Sequence, residues 1–534
     1  MHLSVAALLL AVTTVASAAY FGSSHHGNEH SWLPQFFQPA EPTPNANNCC
    51  DPSSSEAVCL TCAGDSPCGI GAKCTVIDKQ IDCFCEFGEV GDPFVECKAA
   101  KNGGGFGDPH QRTLDGTTFD YHGTCPYIFA QPCLMDPTSP LFFQVKVKNR
   151  LTPGDQAASV ESIQVLMRNQ KIFIDKDRNM FVNGESVVYP LYYPSILRKW
   201  VSVESRDGTI FIKNIDHVEI QFRKSAISLL LPNYPEYGGK HGICGISGNA
   251  NGIWEDDIIS RDFLQFNYPN QTIVPSRQAN ADVARFLDTW ITEDYPEIDE
   301  TSVCFTGEEM AAQYPENCDQ TVPKTQCLPI KEAINGTGPF ANCKFLGAQI
   351  LNDYYNGCVF DLCTITEKCQ IFASFVAACQ GATGDIKLPN WRALTSCPLD
   401  CAAVSPFSSY SSCIQCQKTC ADPRQRRCSG YCYDGCRCDA GYLLDTSVNP
   451  PQCVDPVKCP CVDDNDVSHP DMTDWLNEDC TMTFACMDQH IFKAPKSCAE
   501  NAVCGLEDGK RACVCKNGFK WNYNRTECIQ EEAI

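Results

Sequence analysis

The sequence has almost no long apolar runs. Apart from a short run from Leu8 to Val15, no stretch approaches the roughly 20 apolar residues that a membrane-spanning helix needs, so we expect no membrane span. Basic residues are also in short supply, since 41 Lys and Arg face 65 Asp and Glu and the formal net charge is −24. Because nucleic-acid binders carry clustered Lys and Arg, this balance argues against a nucleic-acid partner.

Signatures of common catalytic sites are missing as well. The 10 His residues are scattered and form no zinc-binding pattern. The segment from Gly245 to Gly248 lacks the Gly-x-Ser-x-Gly spacing that presents a nucleophilic serine in hydrolases. The residues therefore favour a protein that acts by binding, and we do not expect an enzyme.

Cysteine, by contrast, is abundant: the 534-residue chain has 39. In a reducing cytosol so many thiols would need metals, whereas in an oxidising compartment they form disulfides. Residues 1–18 combine an apolar run with the small residues Ala16 to Ala18, which is typical of a signal peptide. We therefore expect a secreted, extracellular glycoprotein of several domains, with glycosylation signals at Asn270, Asn335 and Asn524.

Cysteine spacing divides the chain into modules. A polar linker at residues 19–48, which we expect to be disordered, precedes six cysteines that include a Cys-x-Cys pattern: Cys62, Cys68, Cys74, Cys83, Cys85 and Cys97. The same spacing returns between Cys498 and Cys515, which is an internal repeat. Both modules, at residues 49–100 and 461–534, resemble epidermal-growth-factor-like domains, which are too small for a large core and are held by disulfides.

In the centre of the chain, residues 101–275, cysteine is scarce and apolar residues alternate with polar ones. Three segments alternate in this way and predict strands: 201–203, 210–212 and 218–222. Asn183-Gly184 predicts a hairpin turn, and a longer strand-like run extends from Thr117 to Phe129. We therefore expect an antiparallel β-sheet domain with its own core, followed by an amphipathic helix between Val283 and Trp290.

Two motifs bracket this β-sheet domain. The opening motif contains Gly107-Asp108-Pro109-His110 and the turn Asp115-Gly116. The closing motif runs from Cys244 to Asp257 and places Asn and Asp residues around Gly252. Closely spaced oxygen ligands in a sharply bending loop are what Ca²⁺ coordination needs. From the closing loop alone, a calcium site and an ordinary Asn/Gly-rich turn are both open.

Together the two motifs resemble the ends of a von Willebrand factor type D domain, as in the zonadhesin, mucin and tectorin type of assembly. The resemblance implies a calcium ion held by six residues: Asp115, Asn249, Asn251, Asp256, Asp257 and the backbone carbonyl of Ile253. It also implies two disulfides, Cys133–Cys244 and Cys125–Cys304. A further bridge of the family is missing, because Gly103 and Ser247 stand at the positions of its two cysteines.

The modules that follow extend the resemblance. Residues 276–397 carry eight cysteines from Cys318 to Cys397 and resemble the family's eight-cysteine module, while residues 398–460 carry ten and resemble a trypsin-inhibitor-like module. The resemblance thus implies a mainly β, multidomain protein with a small α-containing eight-cysteine module. Its expected role is structural or adhesive, by binding and assembly with glycoproteins of the extracellular matrix, mucus or egg coat.

The N-terminal cysteine count is odd. Beyond the six of the first module stand Cys49, Cys50 and Cys59, so one thiol of these three is left over. We expect a free or intermolecular cysteine there. A disulfide-linked homodimer is favoured over a capped thiol, because a free thiol in an oxidising compartment tends to find a partner.

Three other chemistries are open. The Asp108–Pro109 bond is acid-labile, and some relatives cut themselves at this sequence, with His110 as the acid or base. The inhibitor-like module could block a serine protease through the segment Cys428–Cys432, although Gly430 offers no side chain to fill a specificity pocket. Finally, secreted luciferases also contain type D domains, so an oxidative enzyme of that kind is an alternative.

Overall fold

The computed structural model describes residues 68–530 apart from fourteen short gaps: 78–79, 87, 107–109, 152–157, 207–208, 224–225, 274–275, 297–302, 314–318, 365–367, 383–385, 415–416, 424–431 and 466. Several predicted features lie outside the described residues: the signal peptide, the linker, Cys49, Cys50, Cys59, Cys62 and the Asp108–Pro109 bond. The prediction of a mainly β, disulfide-rich chain with one small helical module is confirmed.

The N-terminal module consists of short antiparallel strand pairs. Its strands are β1 (Lys73–Ile77), β2 (Gln80–Phe84), β3 (Glu89–Asp92) and β4 (Glu96–Phe106), with β1 paired to β2 and β3 to β4. Disulfides join Cys68 to Cys83 and Cys85 to Cys97, and Cys74 is disulfide-bonded as well. Since β4 continues into the next domain, the boundary placed at residue 100 lies inside one strand that both modules share.

The central domain consists of two antiparallel sheets. Its strands are β5 (His110–Arg112), β6 (Thr118–Asp120), β7 (Tyr127–Pro132), β8 (Phe143–Leu151), β9 (Ala158–Met167), β10 (Gln170–Ile174), β11 (Met180–Val182), β12 (Glu185–Val187), β13 (Leu191–Tyr193), β14 (Val201–Arg206), β15 (Thr209–Asn214), β16 (Glu219–Arg223), β17 (Ala226–Pro232) and β18 (Ile243–Cys244). One sheet has the order β12-β11-β10-β9-β8-β7-β18, and the other β13-β14-β15-β16-β17-β4-β5-β6. Apolar side chains of both sheets form one buried core, which is the packing of a β-sandwich.

Local sequence signals explain most of these strands. The three predicted segments correspond to β14, β15 and β16, and the hairpin turn at Asn183-Gly184 joins β11 to β12 with positive φ angles of 53° and 91°. The prediction of one continuous strand-like run from Thr117 to Phe129 is wrong, because β6 ends at Asp120 and β7 begins at Tyr127. Pro126 cannot donate to a strand ladder, and the Thr124 N–H instead donates to the Phe305 carbonyl at 2.8 Å.

The predicted amphipathic helix is α1 (Arg277–Leu287). Ser276 caps its first turn, accepting a hydrogen bond from the Ala279 N–H at 3.1 Å. Val283 and Leu287 are buried, as is Trp290 in the turn that follows. This face therefore packs into the core of the central domain.

The eight-cysteine module is helical and has a separate core. Its helices are α2 (Gly307–Ala311), α3 (Thr321–Gln326), α4 (Leu328–Ile334), α5 (Gly347–Thr364), α6 (Lys368–Gly381) and α7 (Trp391–Leu394). Among the described residues, three disulfides cross-link this module: Cys327–Cys358, Cys343–Cys379 and Cys369–Cys397. The buried Trp391 and Phe340 belong to a cluster that α5 and α6 complete. None of the helices in the described part of the chain is long and apolar enough to cross a bilayer.

The remaining modules are small and heavily cross-linked. The inhibitor-like module has α8 (Cys401–Val404), β19 (Ser408–Ile414), β20 (Tyr433–Cys438), β21 (Leu443–Asp445) and β22 (Gln452–Val454). The C-terminal module has β23 (Cys461–Val462), β24 (Ser468–His469), β25 (Asp474–Leu476), β26 (Met482–Met487), β27 (His490–Pro495), β28 (Ala502–Glu507), β29 (Lys510–Cys515), β30 (Phe519–Trp521) and β31 (Cys528–Gln530).

The two modules that form the internal repeat also share the same disulfide pairing. Cys498–Cys513 and Cys515–Cys528 span 15 and 13 residues, against 15 and 12 for the corresponding bridges of the N-terminal module. The C-terminal module also contacts the central domain, since the Ser186 N–H donates to the Gly509 carbonyl at 2.6 Å. The central sandwich therefore carries both the helical module and this terminal module.

Candidate functional site

The opening turn and the closing loop meet at one edge of the sandwich. Positive φ angles of 98° at Gly116 and 90° at Gly252 give both segments the sharp bends that glycine allows. The Gly252 N–H donates to Oδ2 of Asp115 at 2.7 Å, and the Leu114 N–H donates to the Ser247 carbonyl at 2.9 Å. Two motifs more than a hundred residues apart are thus in direct contact.

Asp257 lies at the buried end of this contact, with only 1% of its surface exposed. The hydroxyl groups of Thr113 and Thr117 both donate to its Oδ2 atom. Its Oδ1 atom is buried and makes no hydrogen bond of ordinary geometry with a described residue, although the backbone N–H of Asn249 is near enough to favour the charged carboxylate. Burial, with a contribution from the charge of Asp115, raises the pKa of Asp257 to about 7. A buried carboxylate oxygen that is poorly satisfied is costly, so this position suits a cation.

The rest of the closing loop is organised around Asp256. The side-chain amides of Asn249 and Asn251 donate to its carboxylate at 2.8 Å and 3.0 Å. Their amide oxygens accept from the backbone N–H groups of Asn251 and Ile253 at 3.1 Å and 2.7 Å. The Ile253 carbonyl accepts from the Asp256 N–H at 3.5 Å. All six residues predicted for the calcium site therefore lie in the same contact region.

Sequence reasoning missed one residue at this contact, Lys101 of β4. Its ammonium group forms an ion pair with Oδ1 of Asp115, whose side chain is 1% exposed. No motif marks Lys101, and only the position of β4 beside the opening turn brings it there. Lys101 thus supplies one positive charge where the sequence suggests only a metal ion.

The donor set fits Ca²⁺, which takes six to eight oxygen ligands from carboxylates, amides and carbonyls. Among the described residues, one set of three His, Cys, Asp or Glu side chains has its ligand atoms within 4.8 Å of one another: Cys480, Cys498 and Cys513. The carboxylates of Asp115, Asp256 and Asp257 are therefore farther apart than this. Those cysteines are disulfide-bonded and offer no thiolate for a metal.

A second polar cluster lies where the helical module packs on the central domain. His110 is buried, with Nδ1 at 2.8 Å from Asp120 and Nε2 at 2.9 Å from Asp361 of α5. Gly357 allows this contact, since a Cβ atom there would lie 2.8 Å from the His110 ring. Burial disfavours the imidazolium, but the two carboxylates outweigh it and raise the pKa of His110 well above its usual range. His110 is therefore a buried cation that joins the two modules.

This geometry restricts the role that His110 could take in self-cleavage. An imidazolium that donates from both ring nitrogens has a proton to give but no lone pair with which to accept one. His110 could therefore act as an acid, and a role as a base would require loss of a carboxylate contact. The neighbouring His122 differs, because burial lowers its pKa to about 4 and keeps it neutral. The bond itself, Asp108–Pro109, lies outside the described residues, so cleavage stays a prediction.

The structure places the other predicted sites as follows. It contains the bridges Cys125–Cys304 and Cys133–Cys244, the first of which ties the central domain to the segment leading into the helical module. Asn270, Asn335 and Asn524 are all exposed. The segment between Cys428 and Cys432 proposed for protease inhibition lies almost wholly outside the described residues.

Comparison with protein families agrees with this architecture. The von Willebrand factor type D domain matches residues 104–263, the C8 domain residues 326–398 and the trypsin-inhibitor-like cysteine-rich domain residues 401–459. The chain therefore contains a von Willebrand factor type D domain, followed by the C8 and inhibitor-like domains in the order that the sequence resemblance implied.

Three curated relatives match most of this chain. Human IgGFc-binding protein is 27% identical over 86% of the chain, human alpha-tectorin 27% over 85%, and pig zonadhesin 28% over 76%. The chain spans only 8%, 20% and 15% of these proteins, respectively. None of the matched domains or named relatives is described as an enzyme, in agreement with the prediction of a non-enzymatic protein. The relatives and the disulfides together place the chain outside the reducing cytosol.

Proposed function

We propose that the chain acts as a calcium-stabilised binding and assembly unit of an extracellular glycoprotein of the matrix, mucus or egg-coat type. The contact between the opening turn and the closing loop around Asp257 carries this proposal. It joins the two ends of the central domain by buried polar groups that favour a cation, and so gives a rigid platform for the attached modules. The two terminal modules, which we propose to be epidermal-growth-factor-like, are each held internally by disulfides and extend this platform through strand β4 and the contact of Gly509 with Ser186.

Calcium would act here as a structural ion. Asp115, Asn249, Asn251, Asp256, Asp257 and the Ile253 carbonyl would hold it, and its charge would satisfy the buried Oδ1 atom of Asp257. The family resemblance implies a disulfide at the positions of Gly103 and Ser247, which lie beside this contact. We propose that the ion takes over part of the role of that bridge.

The substitution Asp257→Asn tests the calcium site. We expect calcium to raise the melting temperature of the wild-type protein, because a ligand at 100 times its dissociation constant adds about 2.7 kcal/mol of stability. Asp257→Asn should lose most of this gain and change little in chelator, since the amide keeps the shape but not the charge. Scanning calorimetry in calcium and in EGTA measures both.

The control variant is Glu255→Gln, an exposed carboxylate of the same loop. It removes one negative charge close to Asp257 in the sequence but none of the proposed ligands. It should therefore respond to calcium as the wild type does. A calcium-dependent gain that Asp257→Asn keeps in full would rule out this residue as a ligand.

Assembly would use the odd N-terminal cysteine. With three cysteines outside the six of the first module, Cys49, Cys50 and Cys59 leave one thiol for another chain. We expect the secreted protein to migrate without reducing agent at about twice the mass that it shows with reducing agent. A monomer in both lanes would contradict the disulfide-linked homodimer.

A further inference from the structure

The loop that joins β13 to β14 presents a run of exposed apolar and basic residues at the end of its sheet. We call this run, Ile196-Leu197-Arg198-Lys199-Trp200, the β13–β14 tip. Leu197 exposes 92% of its surface, Ile196 44% and Trp200 41%. Single exposed apolar side chains are ordinary on a protein surface, whereas a cluster of them marks an interaction site. The tip is therefore a candidate for binding a partner.

Backbone hydrogen bonds hold the tip in one shape. At its base, where β13 ends, the Trp200 N–H donates to the Tyr193 carbonyl at 2.7 Å. Farther out, the Arg198 N–H donates to the Ser195 carbonyl at 3.1 Å and closes a turn around Leu197. The apolar side chains thus lie on an ordered backbone, which lowers the conformational entropy that is lost on binding.

The neighbouring turn, between β15 and β16, adds a fourth apolar side chain. The Ile215 N–H donates to the Trp200 carbonyl at 2.9 Å, and Ile215 exposes 51% of its surface. Asp216 in the same turn is paired, since Arg168 donates to its two carboxylate oxygens at 2.7 Å and 3.0 Å. The apolar surface therefore continues from the tip onto a second turn.

Two cations accompany these apolar side chains. Arg198 and Lys199 are both exposed, and the ammonium group of Lys199 lies 4.1 Å from the centre of the Tyr192 ring. Basic residues beside aliphatic and Trp side chains are typical of segments that lie in the headgroup region of a bilayer, where the charged ends meet phosphate and the apolar parts enter the acyl boundary. The cores of protein–protein interfaces are instead depleted in Lys. The composition of the tip therefore favours a lipid surface over a protein partner.

We propose that the β13–β14 tip docks the protein onto a bilayer surface that contains anionic lipid. Ile196 and Leu197 enter the acyl boundary, and Trp200 lies at the level of the headgroups. Arg198 and Lys199 contact the negatively charged headgroups, to which their charge is complementary. A single loop inserts, so docking is peripheral and reversible. None of the residues proposed to bind calcium belongs to the tip, so the proposal goes beyond the calcium-stabilised function and does not depend on it.

Flotation of the secreted full chain with lipid vesicles tests the proposal. One set of vesicles contains phosphatidylserine and phosphatidylcholine in equal parts, and the other contains phosphatidylcholine alone. EGTA in the buffer prevents calcium from bridging protein and lipid. We expect the wild type to bind the anionic vesicles, and Leu197→Ser to bind them about tenfold more weakly or worse, because it loses the burial of a leucine side chain.

The basic residues and the specificity of the tip need separate variants. The double variant Arg198→Gln/Lys199→Gln should bind the anionic vesicles more weakly and lose most of the salt dependence of binding. Leu394→Ser, which replaces a leucine of the helical module that exposes 65% of its surface, should bind as the wild type does. Equal binding of the wild type to both sets of vesicles would overturn the role of anionic lipid.

Quenching of tryptophan fluorescence by brominated lipid shows whether the tip itself inserts. The bound wild type should lose part of its fluorescence, and bound Trp200→Phe should lose much less. Equal quenching of the two proteins would place another face in the bilayer and overturn the proposal. So would equal vesicle binding by the wild type and Leu197→Ser with unchanged circular dichroism.

A second copy of the chain is the competing partner for an apolar tip. Analytical ultracentrifugation of the reduced and unreduced protein measures self-association without lipid. Self-association that Leu197→Ser abolishes, together with no vesicle binding by the wild type, would assign the tip to another copy and overturn the proposal. Vesicle binding by a wild type that sediments identically to Leu197→Ser would support docking on lipid.

Discussion

Replacing Asp361 by alanine should lower the free energy of unfolding by about 3–5 kcal/mol, because it removes one partner of a buried ion pair. His110 would keep only Asp120 while remaining buried under α5. The helical module would thus rest on an imidazolium without its second carboxylate. Guanidinium chloride unfolding measures the loss, and limited proteolysis shows whether the helical module separates from the sandwich.

Asn356→Ala is the matched control, since Asn356 is exposed on the same helix five residues before Asp361. It should leave the stability of the contact nearly unchanged. If Asp361→Ala lost as little free energy of unfolding as Asn356→Ala, the ion pair between His110 and Asp361 would not stabilise the packing of the two modules.

The stabilisation that His110 gives through its two carboxylate partners should depend on pH in a defined direction. The pKa of His110 is raised on folding, so its stabilising contribution is fully present below about pH 6.5, the ordinary value of an unfolded histidine, and declines as the pH rises through the folded-state pKa. Four other titratable groups lie around it: Asp120, His122, Asp353 and Asp361. We therefore expect the difference between wild type and Asp361→Ala to shrink above that pKa.

The cysteine pattern predicted the modules because a disulfide-rich domain encodes its boundaries in local spacing. Local signals also predicted the hairpin at Asn183-Gly184 and the helix that buries Val283 and Leu287. Both depend on residues within one or two turns of chain. The prediction of a single strand-like run over the longer stretch from Thr117 to Phe129 failed. Pro126 and the hydrogen bond from Thr124 to Phe305 interrupt the strand hydrogen bonds there.

The contacts that give the sites their charge were beyond prediction. Lys101 meets Asp115 because β4 lies beside the opening turn, and His110 meets Asp361 across 251 residues. Such pairs depend on tertiary packing and leave no spacing signal in a single sequence. The contact between the two motifs could be predicted, because both motifs can be recognised in the sequence, whereas the neighbouring cation Lys101 could not; the calcium ion itself stays a prediction.

Removal of the disulfide Cys125–Cys304 should have an effect of similar size. This bridge has a sequence separation of 179, but the bridge Cys133–Cys244 inside it leaves only 8 residues on one side and 60 on the other, so the loop that it closes has about 70 residues. The double variant Cys125→Ala/Cys304→Ala should lose about 4.4 kcal/mol of stability, since the entropy that a bridge removes from the unfolded chain grows with loop length. Guanidinium chloride unfolding of the variant, with its other bridges intact, measures the loss.

The comparison that tests this argument is the bridge Cys461–Cys486, whose sequence separation is 25. The same chain-entropy relation gives about 3.5 kcal/mol for its removal, so the longer bridge should cost about 1 kcal/mol more. Equal losses would mean that local packing around each bridge outweighs loop length. A larger loss at Cys125–Cys304 would support the dependence on loop length, and it would add to the stability that the contact of His110 with Asp361 gives to the same two modules.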